Sequence, residues 1–266
     1  MASRLSSFRG EVDTSQGFKW AVDDMDTFWT WVLSCERFAI QTFTTLVKNC
    51  DYFIDIGANR GYYSLVALAN SSNVKVDSIE ANLQTSKILI KNLDQFKGRN
   101  FRVLDFALGS VNGTGTIYRY SNLGSGADTL FPQDQYGATI PKKVSIRKLD
   151  LVADHETGAR VIMKIDVEGG EIEVLKGGLE FLKNLQPIII IEVNMEMLKQ
   201  SGGSQKIHEI LSNLKYRAYW INEKQEFIEW KENSSPLHKL ILGSSYSANY
   251  LFIPSAMNLQ SLDLTN

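Results

Sequence analysis

The sequence predicts an α/β protein on a doubly wound, mainly parallel sheet. Short β-branched runs alternate with stretches of helical periodicity. The helical stretches between strands run to about a dozen residues, the length a parallel crossover needs. A glycine-bearing turn follows the first of these strands and opens the first of these helices.

Tyr52-Phe53-Ile54-Asp55-Ile56 reads as a strand ending at Gly57, and residues 61–70 as a helix. Val74 to Glu80 is a second strand. Asn82 is placed to cap a helix in which Leu89, Leu93 and Phe96 share a face. Phe101 to Leu108 gives a third strand, and Val161 to Asp166 a fourth, followed by one helix carrying Ile172, Leu175, Leu179 and Leu182. Pro187 to Val193 is a fifth. Residues 109–160 break the alternation: Thr114 to Tyr120 reads as an inserted strand, and Ser121 to Pro141, rich in Gly, Ser and Asn, as a mobile lid or acceptor-recognition loop. Strand character returns at Tyr216 to Ile221 and Tyr250 to Pro254. Ahead of the first strand, residues 23–48 read as helical. No internal repeat is evident, and the chain reads as one domain with an N-terminal extension.

The 266 residues are 44% apolar and 22% charged, enough to fill a core and far from disordered composition. The formal net charge is -2, from 28 basic and 30 acidic residues, which argues against a broad electrostatic grip on nucleic acid or an anionic membrane. Cys35 and Cys50 give neither a disulfide framework nor a zinc site, so a reducing cytoplasm is the expected compartment. The first 18 residues lack a signal-peptide apolar core, and Ile188 to Val193 is far too short to span a bilayer.

Asp55-Ile56-Gly57-Ala58-Asn59-Arg60-Gly61 lies where a strand turns into a helix. Glycines there let backbone approach a ligand, and a helix N-terminus offers N–H donors. Asn59 tolerates left-handed backbone better than most residues. Glu80 ends the next strand, 25 residues after Asp55, where doubly wound folds place a ribose-binding carboxylate. Together these favour an adenosine-containing cofactor. A dinucleotide fingerprint starting at Gly57 would need glycines where Asn59 and Tyr62 stand. An acid at the strand end suits an ammonium better than a pyrophosphate, which points to S-adenosylmethionine.

Asp55 to Gly61, followed by Tyr62-Tyr63-Ser64, resembles the DIGANxGxxS motif of the FkbM family of S-adenosylmethionine-dependent methyltransferases. Lys164-Ile165-Asp166-Val167-Glu168-Gly169-Gly170-Glu171, continued by Val174-Leu175-Lys176-Gly177, resembles that family's KxDVEGxExxVLKG. Ala107-Leu108-Gly109 and Lys148-Leu149-Asp150 match its layout, and the resemblance covers roughly residues 50–195. It implies a class I sheet of about seven strands, the last antiparallel. The corresponding domains are a helical extension at 1–49 and a methyltransferase domain at 50–266, with an insertion at about 109–160. It further implies that Asp55, Gly57, Ala58, Asn59 and Gly61 form the methionine-side loop, Glu80 the ribose carboxylate, and Asp105, Phe106 and Ala107 the adenine side. The implied acceptor is a hydroxyl of a sugar, glycolipid or secondary metabolite. A catalytically silent cofactor-binding module of a larger assembly is the alternative. Methylation of RNA or protein is disfavoured, since no basic, aromatic-interleaved stretch is present.

Methyl transfer is an in-line displacement and mainly a positioning task. A placed base would contribute roughly 10²–10⁴-fold for an alcohol nucleophile. Asp166, Glu168, Glu171 and Glu192 are the candidates, with Lys164 beside them; Asp166, Glu192 and Lys164 lead. Glu192 stands in an apolar strand with Asn194 on its side of the sheet, and an unpaired buried carboxylate is expensive. The competing reading is a Lys164–Glu192 or Lys164–Asp166 pair that only ties strands together. A divalent cation held by the two acids and Asn194 is a further, less favoured arrangement, with no third carboxylate at ligand spacing. Solvent-facing or packing roles are expected of His155, His208 and His238. Trp29, Trp31, Phe38 and Phe43 are read as core or oligomer contact, and Lys142-Lys143 with Arg147-Lys148 as a solvated face.

Overall fold

The computed structural model describes residues 10–22, 37–120, 128–132, 137–152, 158–194, 198, 203–222, 226–231 and 247–265. In chain order the described elements begin with β1 (Gly10–Asp13), β2 (Lys19–Val22), α1 (Arg37–Val47), β3 (Tyr52–Ile56), α2 (Tyr62–Asn70), β4 (Lys75–Ile79) and α3 (Leu83–Leu93). β5 (Phe101–Leu104), β6 (Ala107–Leu108), β7 (Gly113–Tyr120), β8 (Thr139–Arg147) and α4 (Leu149–Val152) follow. The chain continues through β9 (Val161–Ile165), α5 (Glu171–Gly177), α6 (Leu179–Leu185), β10 (Ile188–Asn194), α7 (Ser204–Asn213), β11 (Tyr216–Ile221), β12 (Phe227–Glu229) and β13 (Ser247–Pro254).

The central sheet runs β12-β11-β13-β10-β9-β3-β4-β5. β5, β4, β3, β9 and β10 are mutually parallel, while β13 is antiparallel to both β10 and β11, and β12 to β11. The architecture is therefore α/β on a mixed sheet of eight strands, where about seven were expected; the short β12 is the addition. Strand order reverses between β3 and β9, and in open α/β sheets ligands bind at the carboxyl edge of such a switch point.

Strand alternation separates two buried apolar clusters. Phe53, Ile162, Ile190 and Leu251 pack with Phe43 of α1, Leu65 of α2 and Leu89 of α3. Ile54, Met163, Ile191 and Phe252 pack with Leu175 of α5, Leu182 of α6 and Leu211 of α7. Each such side chain contributes about 1.5–3 kcal/mol on burial.

Three expectations need correction. The strand read as Phe101 to Leu108 divides at Asp105-Phe106: β5 stays in the central sheet, and β6 leaves to pair with β8 in a separate sheet of order β6-β8-β7. The helix expected across Ile172 to Leu182 is two, α5 and α6, meeting at Gly178. Within the stretch expected to be helical at 1–49, α1 is a helix, but β1 and β2 form an antiparallel hairpin. That hairpin docks on the helices: Lys19 and Ala21 donate to the side-chain oxygens of Gln95 and Asn92, at 2.9 and 3.1 Å, and Trp20 meets the Tyr62 ring edge-on at 5.0 Å. Trp29, Trp31, Cys35, His155 and His238 lie outside the described residues.

Candidate active site

The turn after β3 is shaped by contacts that leave no room for a side chain. Gly57 has φ of +79°, and a Cβ there would sit 1.8 Å from the Asp166 carbonyl oxygen. Such closeness lets the β3 and β9 ends lie side by side, with Asp166 N–H donating to the Ile56 carbonyl at 2.9 Å. Asn59 takes the left-handed conformation its side chain tolerates, at φ 48°.

The turn's N–H groups are largely used within the protein, contrary to the expectation of free donors. Gly57 and Ala58 both donate to the Ile79 carbonyl at 3.0 Å, Asn59 to Glu80 Oε2 at 2.9 Å and Gly61 to Ala58 at 2.7 Å. Asp55 Oδ2 accepts from Ser64 N and Oγ, at 3.1 and 2.6 Å, which ties β3 to the first turn of α2. Burial raises the Asp55 carboxyl to about 6, against the opposing pull of the Ser64 hydrogen bonds and the Lys164 charge.

A cleft opens at this edge of the sheet. Of the residues expected to hold a cofactor, Gly57, Asn59, Glu80, Phe106 and Ala107 line it. Asp55, Ala58 and Gly61 stand behind the lining, and Asp105 is exposed away from it. Glu80 accepts from Asn59 N and, through Oε1, from Asn82 N at 2.7 Å. Burial raises its carboxyl to about 7; the two backbone bonds and Arg119 oppose the shift, and the Asp128 charge adds to it. Phe106 is buried, with the Arg147 guanidinium 4.7 Å above its ring. Asn82 caps α3 as expected, accepting from Gln84 N at 3.1 Å.

The opposite wall is acidic. Asp166 and Glu168 line the cleft with Val167. Lys164, 1% exposed, places Nζ 3.1 Å from Asp166 Oδ2 and 3.9 Å from Glu192 Oε2, with the Tyr63 ring centre 5.2 Å away. Both ion pairs offered as strand ties are thus present, and Asp166 also reaches the cleft, whereas Glu192 does not line it. Burial pushes Glu168 well above the usual carboxylate range, reinforced by Asp166 and Glu171, while Asn194 Nδ2 donates to it at 3.5 Å. Glu171 Oε1 accepts from Val167 N and Gly169 N, at 3.3 and 3.1 Å, so this acid shapes the turn; burial raises it to about 7. Among the described residues no group of three or more His, Cys, Asp or Glu side chains is arranged to hold a metal ion.

Sequence reasoning missed the third wall. Asp128, Leu130 and Ile117 of the insertion line the cleft. Asp128 is bonded by Asn82 Nδ2 and lies 3.0 Å from Arg119 Nε, while Arg119 also donates to Thr85 at 3.1 Å. Thr129 Oγ1 donates to the Glu168 carbonyl at 2.5 Å. Residues 121–127 and 133–136 of the expected lid lie outside the described residues, while Thr139 to Pro141 belong to β8. Lys142, read as a solvated residue, bonds Asn82 Oδ1 at 3.2 Å. His208 is a packed core residue, with Nε2 3.0 Å from the Trp230 carbonyl oxygen.

Residues 55–219 match the family described as the methyltransferase FkbM domain. An FkbM methyltransferase from Methylobacillus flagellatus is similar in structure, with TM-score 0.47 and 17% identity, over 87% of this chain and 56% of that one. The precorrin-6y C5,15-methyltransferase of Geobacter metallireducens gives TM-score 0.43 and 15% identity, over 82% and 87%. TYW2 of M. jannaschii, determined with AdoMet, gives 0.42 and 11%, over 92% and 84%. No curated protein matches the chain by sequence. No helix among the described residues is long and apolar enough to cross a membrane.

Proposed function

The chain belongs to the FkbM methyltransferase family, and from that premise we propose that it transfers the methyl group of S-adenosylmethionine to a hydroxyl of a sugar, glycolipid or secondary metabolite. Residues 50–266 form the methyltransferase domain in this reading, with 109–160 as its insertion and 1–49 as an extension. The observation that carries it is Glu80, a buried carboxylate on the cleft wall beside the strand-order reversal. Each of its oxygens already accepts one backbone N–H, and a carboxylate oxygen accepts two bonds, so one site on each remains for a ribose hydroxyl. Phe106 and Ala107 offer an apolar wall to an adenine, and Gly57 and Asn59 of the turn line the cleft where a methionine moiety would lie. Asp55 acts from behind, holding the turn through Ser64.

S-adenosylmethionine supplies a methyl group on a positively charged sulfur. The protein's own residues orient the acceptor and take its proton. Asp166 is the favoured base, because it lines the cleft and its Oδ2 is held in place by Lys164 Nζ at 3.1 Å. Glu192, 3.9 Å from the same ammonium, is the second acid of the group. A divalent cation is the less favoured arrangement. Turnover in EDTA and then with magnesium, for wild type, Asp166→Asn and Glu192→Gln, tests the assignment. Activity that survives EDTA and falls about 10²-fold or more in Asp166→Asn supports the base. Activity restored only by magnesium, or full turnover in both variants, counts against it.

A further inference from the structure

The β5 side of the cleft is built by segments far apart in sequence. Phe106 and Leu108 come just after β5, Ile117 and Leu130 belong to the insertion, and all four line the cleft. Asp128 lines it with them, two residues from Leu130. Asp166 and Glu168 follow β9, which stands three strands from β5 in the order β9-β3-β4-β5. Neighbouring strands lie about 4.8 Å apart, so β9 and β5 are separated by roughly 14 Å. Asp128 is instead fixed beside β4. Asn82 gives its side-chain amide to Asp128 Oδ2 and its backbone N–H to Glu80 Oε1, so one residue holds both carboxylates. Arg119 completes the fixing, with Nε 3.0 Å from Asp128 Oδ1 and Nη2 3.2 Å from Oδ2.

Asp128 Oδ1 thus accepts one bond among the described residues, and a carboxylate oxygen accepts two. The methyl donor offers few groups to fill that place. Glu80 has an open site on each oxygen for the two ribose hydroxyls, and the methionine end belongs to the turn after β3. The base has its exocyclic amine as a hydrogen-bond donor. We propose that Asp128 selects the base of S-adenosylmethionine, its Oδ1 accepting from the adenine amine while Phe106, Ile117 and Leu130 flank the ring. A carboxylate has no hydrogen to give, so a base with a carbonyl at that position would set lone pairs against lone pairs. Asp105, the acid expected on the adenine side, is exposed away from the cleft. The proposal rests on the methyl-donor reading and names the residue that sets its base specificity.

The test is calorimetric titration of the full chain with S-adenosylhomocysteine and with its analogue in which hydrogen replaces the amine. Wild type is expected to bind the analogue about 10- to 100-fold more weakly, the loss of one bond to a charged acceptor. Asp128→Ala is expected to bind the two ligands within about threefold of each other, and Asp105→Ala to keep the wild-type preference. A role confined to holding Asn82 and Arg119 would weaken both ligands by the same factor in Asp128→Ala and leave the preference intact, which overturns the proposal. Equal affinity of the wild type for the two ligands, or a preference lost in Asp105→Ala, overturns it as well. Asp128→Asn serves should Asp128→Ala fail to fold. Its neutral oxygen is a weaker acceptor, so the preference is expected to fall to roughly a few-fold, and an undiminished preference counts against Asp128. Failure of the wild type to bind S-adenosylhomocysteine overturns the donor reading instead.

Discussion

Each oxygen of the Glu80 carboxylate accepts one backbone N–H, from Asn59 on one side and Asn82 on the other. The residue thus joins the turn after β3 to the cap of α3 while facing the cleft. Hydrogen bonds to a charged acceptor are worth about 1.5–3 kcal/mol, so Glu80→Ala is expected to weaken S-adenosylhomocysteine binding roughly 10- to 100-fold by calorimetry. Burial raises this carboxyl to about 7, so the group ionises across neutral pH. The ionised form is the better acceptor for ribose hydroxyls. Affinity should therefore tighten between pH 6 and 8, and Glu80→Gln should abolish that dependence. A flat profile in wild type would remove Glu80 from the ribose contact.

At the scale of elements, the insertion connects two walls of the cleft. Asp128 is bonded to Asn82 near the carboxyl end of β4, and Thr129 to Glu168 beyond β9. Removing the Thr129 hydroxyl in Thr129→Val is expected to raise the dissociation constant for S-adenosylhomocysteine about 3- to 10-fold. Unchanged affinity would make the contact incidental to binding. The elements legible in the sequence were those written locally. Asn82 announced the start of α3, and alternation announced β3, β9 and β10. Glu80 was legible because its distance from Asp55 is fixed by one helical crossover. Asp128 and Thr129 were not, because they meet Asn82 and Glu168 across 46 and 39 residues, and no local period records such a meeting. The division of β5 from β6 was missed because Phe101 to Leu108 reads as one run, although its last residues pair with β8.

Across the whole molecule, Asp55, Glu80 and Glu171 are carboxyls held well above their ordinary values, at about 6, 7 and 7. Between their unfolded values and these, the folded state binds more protons than the unfolded chain, so stability falls as pH rises through that window. Asp51, held low by the Arg160 N–H, and Glu173, held low by Lys176 and Ser110, act oppositely, losing stability as pH falls through the acid range. Melting of the ligand-free protein is therefore expected to be highest at about pH 5 and to decline toward pH 8. A melting temperature that climbs steadily from pH 5 to 8 would contradict the buried-acid assignment. The meeting of α5 with β6 limits the molecule in another way. A Cβ on Gly177 would fall 2.0 Å from the Gly109 carbonyl oxygen, main chain against main chain. An overcrowded side-chain contact can be relieved by trimming the neighbour, but a carbonyl group cannot be trimmed. A Gly177→Ala lesion therefore has no simple suppressor at the point of collision, and only a change that slides the strand or tilts the helix as a body would restore it. Here the final glycine of the VLKG sequence records a limit on which mutational paths the fold can follow.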